Sequence, residues 1–427
     1  MPLPERYVEF LRSVTQKIYE AQKPVRIMRS IAWPAAVGRE FFERGATELP
    51  RPSYQVGFDV DAVVGTFGEI RRELEATNEL ERFLRDTCDS YSVAARMLGA
   101  MGTPDFYRLS CELYGRPTSP TCDGKTTNLA LARHFDEMIT RYADKGHGGI
   151  GASEPTPLTA EDVAEELGRR FRAFFDGHEI RVEVDDEIAA NAVAGADVVR
   201  IKKGARFSER DVLQLEHHEG KVHVATTLNG RSQPVLSLLG LGAPRTTNTQ
   251  EGLAIFTEFI SQAVDLERVR RLTDRILAIE MSEGGADFLD LYRFFIDHGH
   301  SEDQAFDCAR RVVRGGLVEG GAPFTKDVCY LDGLLKVSNF LRVAITKGHP
   351  EYVRLLFVGK LDLDDIPLIA HLVREGIVQM PRHVPGWAHD LTFLTAYMSY
   401  SAFLNETDLT AEYRYYDEII ERAAAWP

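Results

Sequence analysis

Cysteine is scarce in this chain of 427 residues: five, at positions 88, 111, 122, 308 and 329. No two stand in a CxxC pair, which excludes a disulfide framework and a zinc knuckle as the basis of the fold. No apolar run approaches the roughly 18 residues that a membrane span requires. The first residues, MPLPERYVEFLRS, lack a basic stretch followed by an apolar one, so no secretion signal is expected. Basic residues are in deficit: 50 Lys and Arg stand against 65 Asp and Glu, for a formal net charge of -15 and a pI of about 5.4. Phosphate binding needs a concentrated basic surface, so nucleic acid is not expected as a partner. A reducing cytoplasm is the expected setting, with no membrane contact.

What is present is ordinary for a globular protein: 44% hydrophobic and 27% charged residues. The length suits one large domain or two ordinary ones. Residues 5–22 repeat apolar side chains at helical spacing, and similar patterns recur near 60–77 and 82–101. The stretch KGHGGIGASEPTPLTAED is rich in Gly, Ser, Thr and Pro and reads as a boundary loop. We therefore divide the chain into a helical lobe (1–145), a Gly/Pro-rich loop (146–158) and a second lobe (159–427), packed as one unit. Thr159 and Asp162 predict a capping box. Two strand-like runs follow, EIRVEV (179–184) and DVVRIKKG (197–204). Helices are predicted near 209–223, 250–280, 286–298, 301–314, 328–346, 363–375 and 388–405. The fold class is mainly α with a small β element (α+β).

The stretch that carries chemistry is HHEGKVH, His217 to His223. In the HExxH zinc motif the histidines stand at i and i+4, about 40° apart on one helical face. Here His218 and His223 are i and i+5, about 140° apart in a regular helix. Two imidazoles so placed could not share an ion. A single π-type turn absorbs the extra residue, and such turns concentrate at functional sites. Gly220 inside the spacer lowers the cost of leaving regular helix. The two histidines then face the same way with Glu219 beside them, as needed for a metal and a proton acceptor. A solvated polar helix face is the plain alternative. His217 is six residues from His223 and is set aside.

A third ligand is needed. Glu251, in PRTTNTQEGLAIFTEFI (244–260), opens an amphipathic helix, but Asn248-x-x-Glu251 is also a capping box in its own right. Spacing leaves both readings open. Glu258, seven residues further on the same face, could support a ligand histidine or face solvent.

HHEGKVH, NGRSQPVLSLLGLG (229–242) and TQEGLA (249–254) together resemble a bacterial family named for its QEGLA motif, usually labelled flavohaemoglobin expression-modulating proteins. SIAWP (30–34), ELPRPSY (48–54), GARFS (204–208) and GGAPFTKDVCYLDGLLKVSNFLR (320–342) extend the resemblance over most of the chain. That family is similar to the microtubule-associated tyrosine carboxypeptidases, HExxxH zinc peptidases that remove the C-terminal tyrosine of α-tubulin. The resemblance implies a zincin-like helical metallopeptidase with one Zn2+ held by His218, His223 and Glu251, and Glu219 as general base and acid. It implies a carboxypeptidase acting on peptide or protein C-terminal tails. The label of the bacterial family describes an association rather than a reaction.

A carboxypeptidase needs a cation for the terminal carboxylate. Arg314, Lys326 and Tyr330, in a block that resembles the family, are the candidate substrate-binding residues, with a basic groove expected around Arg310, Arg311, Arg314 and Lys326. Two readings compete with peptide hydrolysis: a regulatory or binding protein whose zinc is structural, and a hydrolase of a non-peptide amide. Three good ligands without a fourth favour an open, catalytic site. His178-Glu179 reads as surface, HVPGWAH (383–389) as loop, and His298 and His300 as the polar end of a helix capped by Gly299.

Overall fold

The computed structural model describes residues 3–144, 156–186, 188, 190–404 and 408–424. The expected loop at 146–158 falls largely outside them. The structure is 64% helical, with one three-stranded sheet among the described residues. No helix among the described residues is long and apolar enough to cross a membrane.

The helix Ala160–Phe174 begins where the sequence says it should. Thr159 accepts from the Asp162 amide and Asp162 accepts in return, closing the capping box. Its apolar stripe, Val163, Leu167 and Phe171, is buried against the sheet and the motif helix. The sheet has the order β1 (Arg181–Asp185), β3 (Val198–Lys202), β2 (Ala192–Ala194). β1 runs parallel to β3, and β2 runs antiparallel to it as a free edge. β2 is too short and too small-sided (AVA) to show a strand period, which is why sequence patterning misses it.

The predicted helix at 209–223 is three segments end to end. Ser208 and Asp211 form the capping box of the α-helical Glu209–Leu215, a π-helix runs Glu216–Val224, and α-helix resumes over Ala225–Arg231. The wide turn is thus nine residues long rather than a single turn. Gly220 has a second role here beyond its helix propensity. A Cβ on it would lie 2.2 Å from Cε1 of Phe171, so only glycine lets the two helices approach this closely.

The predicted helix at 250–280 is broken into Thr247–Ile260 and Leu266–Glu283. Gln262 takes a positive φ of 58°, and Asp265 caps the second helix by accepting from the Arg268 amide. The break folds Arg268 back onto the preceding helix. Helix Thr247–Ile260 crosses helix Val328–Thr346 at a glycine pair. A Cβ on Gly252 would meet the Gly333 carbonyl carbon at 2.1 Å, and one on Gly333 would meet the Asn248 carbonyl oxygen at 2.1 Å. That close crossing delivers the start of the 328–346 helix to the motif helix.

Candidate metal centre

Within the π-helix the i and i+5 side chains face one way. The His218 and His223 rings pack edge to face, with centroids 4.9 Å apart. Glu251 comes to them from the neighbouring helix. Its Oε2 lies 3.5 Å from Nε2 of His218 and 3.7 Å from Nε2 of His223. Donors on a tetrahedral zinc at about 2.0–2.1 Å stand about 3.4 Å from one another, so this spacing suits one ion shared by three donors. Glu251 Oε2 is buried and has no hydrogen-bond partner. A carboxylate oxygen so placed calls for a cation. The residues present therefore fit a zinc ion.

Glu251 is no helix cap. The helix starts at Thr247, no side chain caps it, and Asn248 donates instead to Asp332. The other oxygen of Glu251 accepts from Lys326 Nζ at 2.8 Å. Burial disfavours the charged carboxylate, yet Lys326 and the two histidines outweigh it and hold the Glu251 pKa well below the usual range.

Glu258 supports His218. His218 Nδ1 lies 2.6 Å from Glu258 Oε1, and Arg268 donates to both oxygens of Glu258 at 2.9 Å. Glu258 is fully buried, and Arg268 is only 8% exposed. With Nδ1 engaged by Glu258, Nε2 of His218 faces Glu251. Burial opposes charge on His218, but Glu251 and Glu258 outweigh it and lift its pKa to about 10. The pocket between the two carboxylates thus favours positive charge.

Glu219 lies next to His218 in the motif and is aimed by the sheet. Its Oε2 accepts from the Ala194 amide of β2 at 2.9 Å, so the edge strand fixes the rotamer of the expected base. Glu216 and Lys221 face away. Glu216 accepts from Arg170 at 2.7 Å and from Lys221 at 2.6 Å. His217 is excluded from the His218, His223 and Glu251 group. Burial drives its pKa down to about 4.

The expected basic groove does not form. Arg311 pairs with Asp327, Lys326 with Glu251 and Arg310 with Asp307. Helix-scale sequence reading counted these cations without their partners. Tyr330 stacks over His218 at 6.5 Å between ring centroids, with Arg275, Arg311 and Lys326 around its own ring. Its hydroxyl accepts from Arg311 at 3.2 Å. Arg314 is 6% exposed, and its Nε and Nη2 are buried without hydrogen bonds. Burial and then Arg311 lower its pKa to about 9. Lys360 is a cation that the sequence reading missed. Burial lowers its pKa while Glu251 and Glu219 act to raise it, and no carboxylate pairs with it among the described residues. Only a weak signal, a lysine after an apolar run (RLLFVGK), marks it in the sequence.

A family model described as microtubule-associated tyrosine carboxypeptidase matches residues 39–406. The chain belongs to this family. Membership agrees with the motif resemblance. A search of curated proteins finds no match. Among solved structures the chain is similar to a protein of Colwellia psychrerythraea labelled a lipoprotein, at 14% identity and a TM-score of 0.42. That likeness covers 74% of this chain and 66% of the other, just short of two thirds of its length.

Proposed function

We propose that this member of the tyrosine carboxypeptidase family is a zinc-dependent carboxypeptidase that releases the last residue of a peptide or protein tail. The observation that carries the reading is the convergence of His218 Nε2, His223 Nε2 and the unpartnered Glu251 Oε2 within 4.8 Å of one another, beside Glu219. A zinc ion held by these three residues would polarise the scissile carbonyl and lower the pKa of the attacking water.

Glu219, held by the Ala194 amide, accepts the proton of that water as it attacks and returns it to the leaving amine. Tyr330, over His218, is placed to donate to the oxyanion. Lys326 holds Glu251 in position and keeps it ionised. Lys360 is the free ammonium for the terminal carboxylate, and Arg314 adds buried positive charge behind Tyr330. The tyrosine in the family's name suits the aromatic ring of Tyr330 and the cations around it. An acidic tail such as that of tubulin gains no long-range attraction from a chain of net charge -15.

The test is a peptide library with free C-termini, incubated with the wild type and Glu219→Gln and read by mass spectrometry, alongside zinc analysis. The wild type is expected to shorten peptides by one residue, and E219Q to keep its zinc while losing this activity at least about a hundredfold. Unchanged turnover in E219Q, or full zinc content in His218→Ala, would overturn the assignment.

A further inference from the structure

A second cluster of metal-ligating side chains lies apart from the one described and shares no residue with it. Asp136 comes from helix Asn128–Asp144, Asp274 from helix Leu266–Glu283, and His298 follows helix Phe288–Asp297. One donor atom from each lies within 4.8 Å of the other two. The DHGH corner explains how the histidines arrive there. Gly299 adopts a φ of 86°, and the amide of His300 bonds back to the Phe295 carbonyl, so the chain reverses tightly at the helix end. His298 Nδ1 then stands 2.8 Å from Asp274 Oδ1, and His300 Nε2 3.6 Å from Asp274 Oδ2.

Asp274 is the informative residue. It is wholly buried, and its Oδ2 has no hydrogen-bond partner. A buried carboxylate oxygen left bare costs about 1–3 kcal/mol or more, and a nearby second carboxylate raises the cost. Helix capping, which accounts for Gly299, does not explain why Asp136 and Asp274 converge on the same histidine. Arg270 on the same helix also acts on His298, but among the described residues it has no ion pair with Asp274. An ion coordinated by both carboxylates satisfies all of these groups at once.

We propose that Asp136, Asp274 and His298 form a second divalent-cation site that takes Zn2+, with His300 beside Asp274 but outside the donor group. Two carboxylates and one imidazole are donors that zinc accepts. The ion would staple three helices, two of which are also joined by the Arg133–Glu280 ion pair. One of them, Leu266–Glu283, also carries Arg268, which holds the Glu258 that orients His218. The second ion thereby stiffens the support of the first site without touching substrate.

The experiment uses the full chain, stripped of metal and titrated with Zn2+ against a chromophoric chelator. The wild type is expected to bind two equivalents per chain, and His298→Gln/His300→Gln and His218→Ala/His223→Ala one each. The half-buried Asp136→Asn should weaken the second equivalent about 10–100-fold without disturbing the core. Zn2+ should also raise the unfolding midpoint of the His218/His223 double variant, and fail to do so once His298 and His300 are also replaced. The same number of equivalents in wild type and H298Q/H300Q, or a second equivalent bound only at millimolar zinc, would overturn the proposal. If instead H218A/H223A loses nothing while H298Q/H300Q loses one, the catalytic reading fails and this one stands.

Discussion

Gly220→Ala sets two physical arguments against each other with opposite signs. Viewed as a helix position, glycine to alanine should stabilise by about 1 kcal/mol. Viewed in the packed structure, the new methyl would stand 2.2 Å from Cε1 and 2.7 Å from Cζ of Phe171. Phe171 cannot swing into solvent, being 1% exposed. Nor can it slide, because Phe175 lies against it at 5.8 Å, with Phe174 and His383 packed behind. The motif helix must move instead, at an overpacking cost of about 1–3 kcal/mol. For a contact this short we take the upper end, leaving a net loss of about 2 kcal/mol. Phe171→Ala alone should cost about 3–5 kcal/mol through the cavity it leaves. Adding G220A to that background should cost nothing or restore about 1 kcal/mol, because the methyl then has space. Equilibrium denaturant unfolding of the four proteins gives the coupling between the two sites. Because Gly220 lies between His218 and His223, the displacement should also weaken zinc binding about tenfold or more. A G220A protein as stable as the wild type, or more so, would refute the packing argument.

Glu258→Gln should weaken zinc binding about 10–100-fold by freeing His218, and should cost about 3–5 kcal/mol by stranding Arg268. Adding Arg268→Met should recover stability but not metal affinity, as measured by unfolding and chelator competition. Lys360→Met should raise KM about 10–100-fold for peptides with a free C-terminus. It should leave kcat and zinc content near wild type, and equal KM values would remove Lys360 from carboxylate binding. His383 is buried with an unpartnered Nε2, and burial, then His178 and Arg382, lower its pKa to about 4. The unfolded chain takes up that proton near pH 6.5. The wild type should therefore lose stability as pH falls from about 6.5 to 4, and the His383→Gln variant should lose less over that range.

The helical class, the capping box at Thr159 and the pairing of His218 with His223 were legible in the sequence because each depends on near neighbours. The i+5 spacing required a wide turn, and the structure contains one. Glu251 was ambiguous for a physical reason: a carboxylate in a first helical turn serves a cap or a ligand equally well, and only the histidines across from it decide. The basic groove failed because sequence shows cations but not the partners that neutralise them; Asp327 and Glu251 take Arg311 and Lys326 out of play. Lys360 was invisible for the reverse reason, since nothing local tells that a lysine will have no partner.

What the sequence determined by itself was the two histidines of the motif and the distortion needed to align them, both consequences of helical geometry over six residues. The tertiary structure decided the rest. The Gly252–Gly333 crossing brings Lys326 to Glu251, the break at Gln262 returns Arg268 to Glu258, and the edge strand aims Glu219 through Ala194. Each joins residues far apart along the chain, and their placement depends on packing that no local pattern encodes.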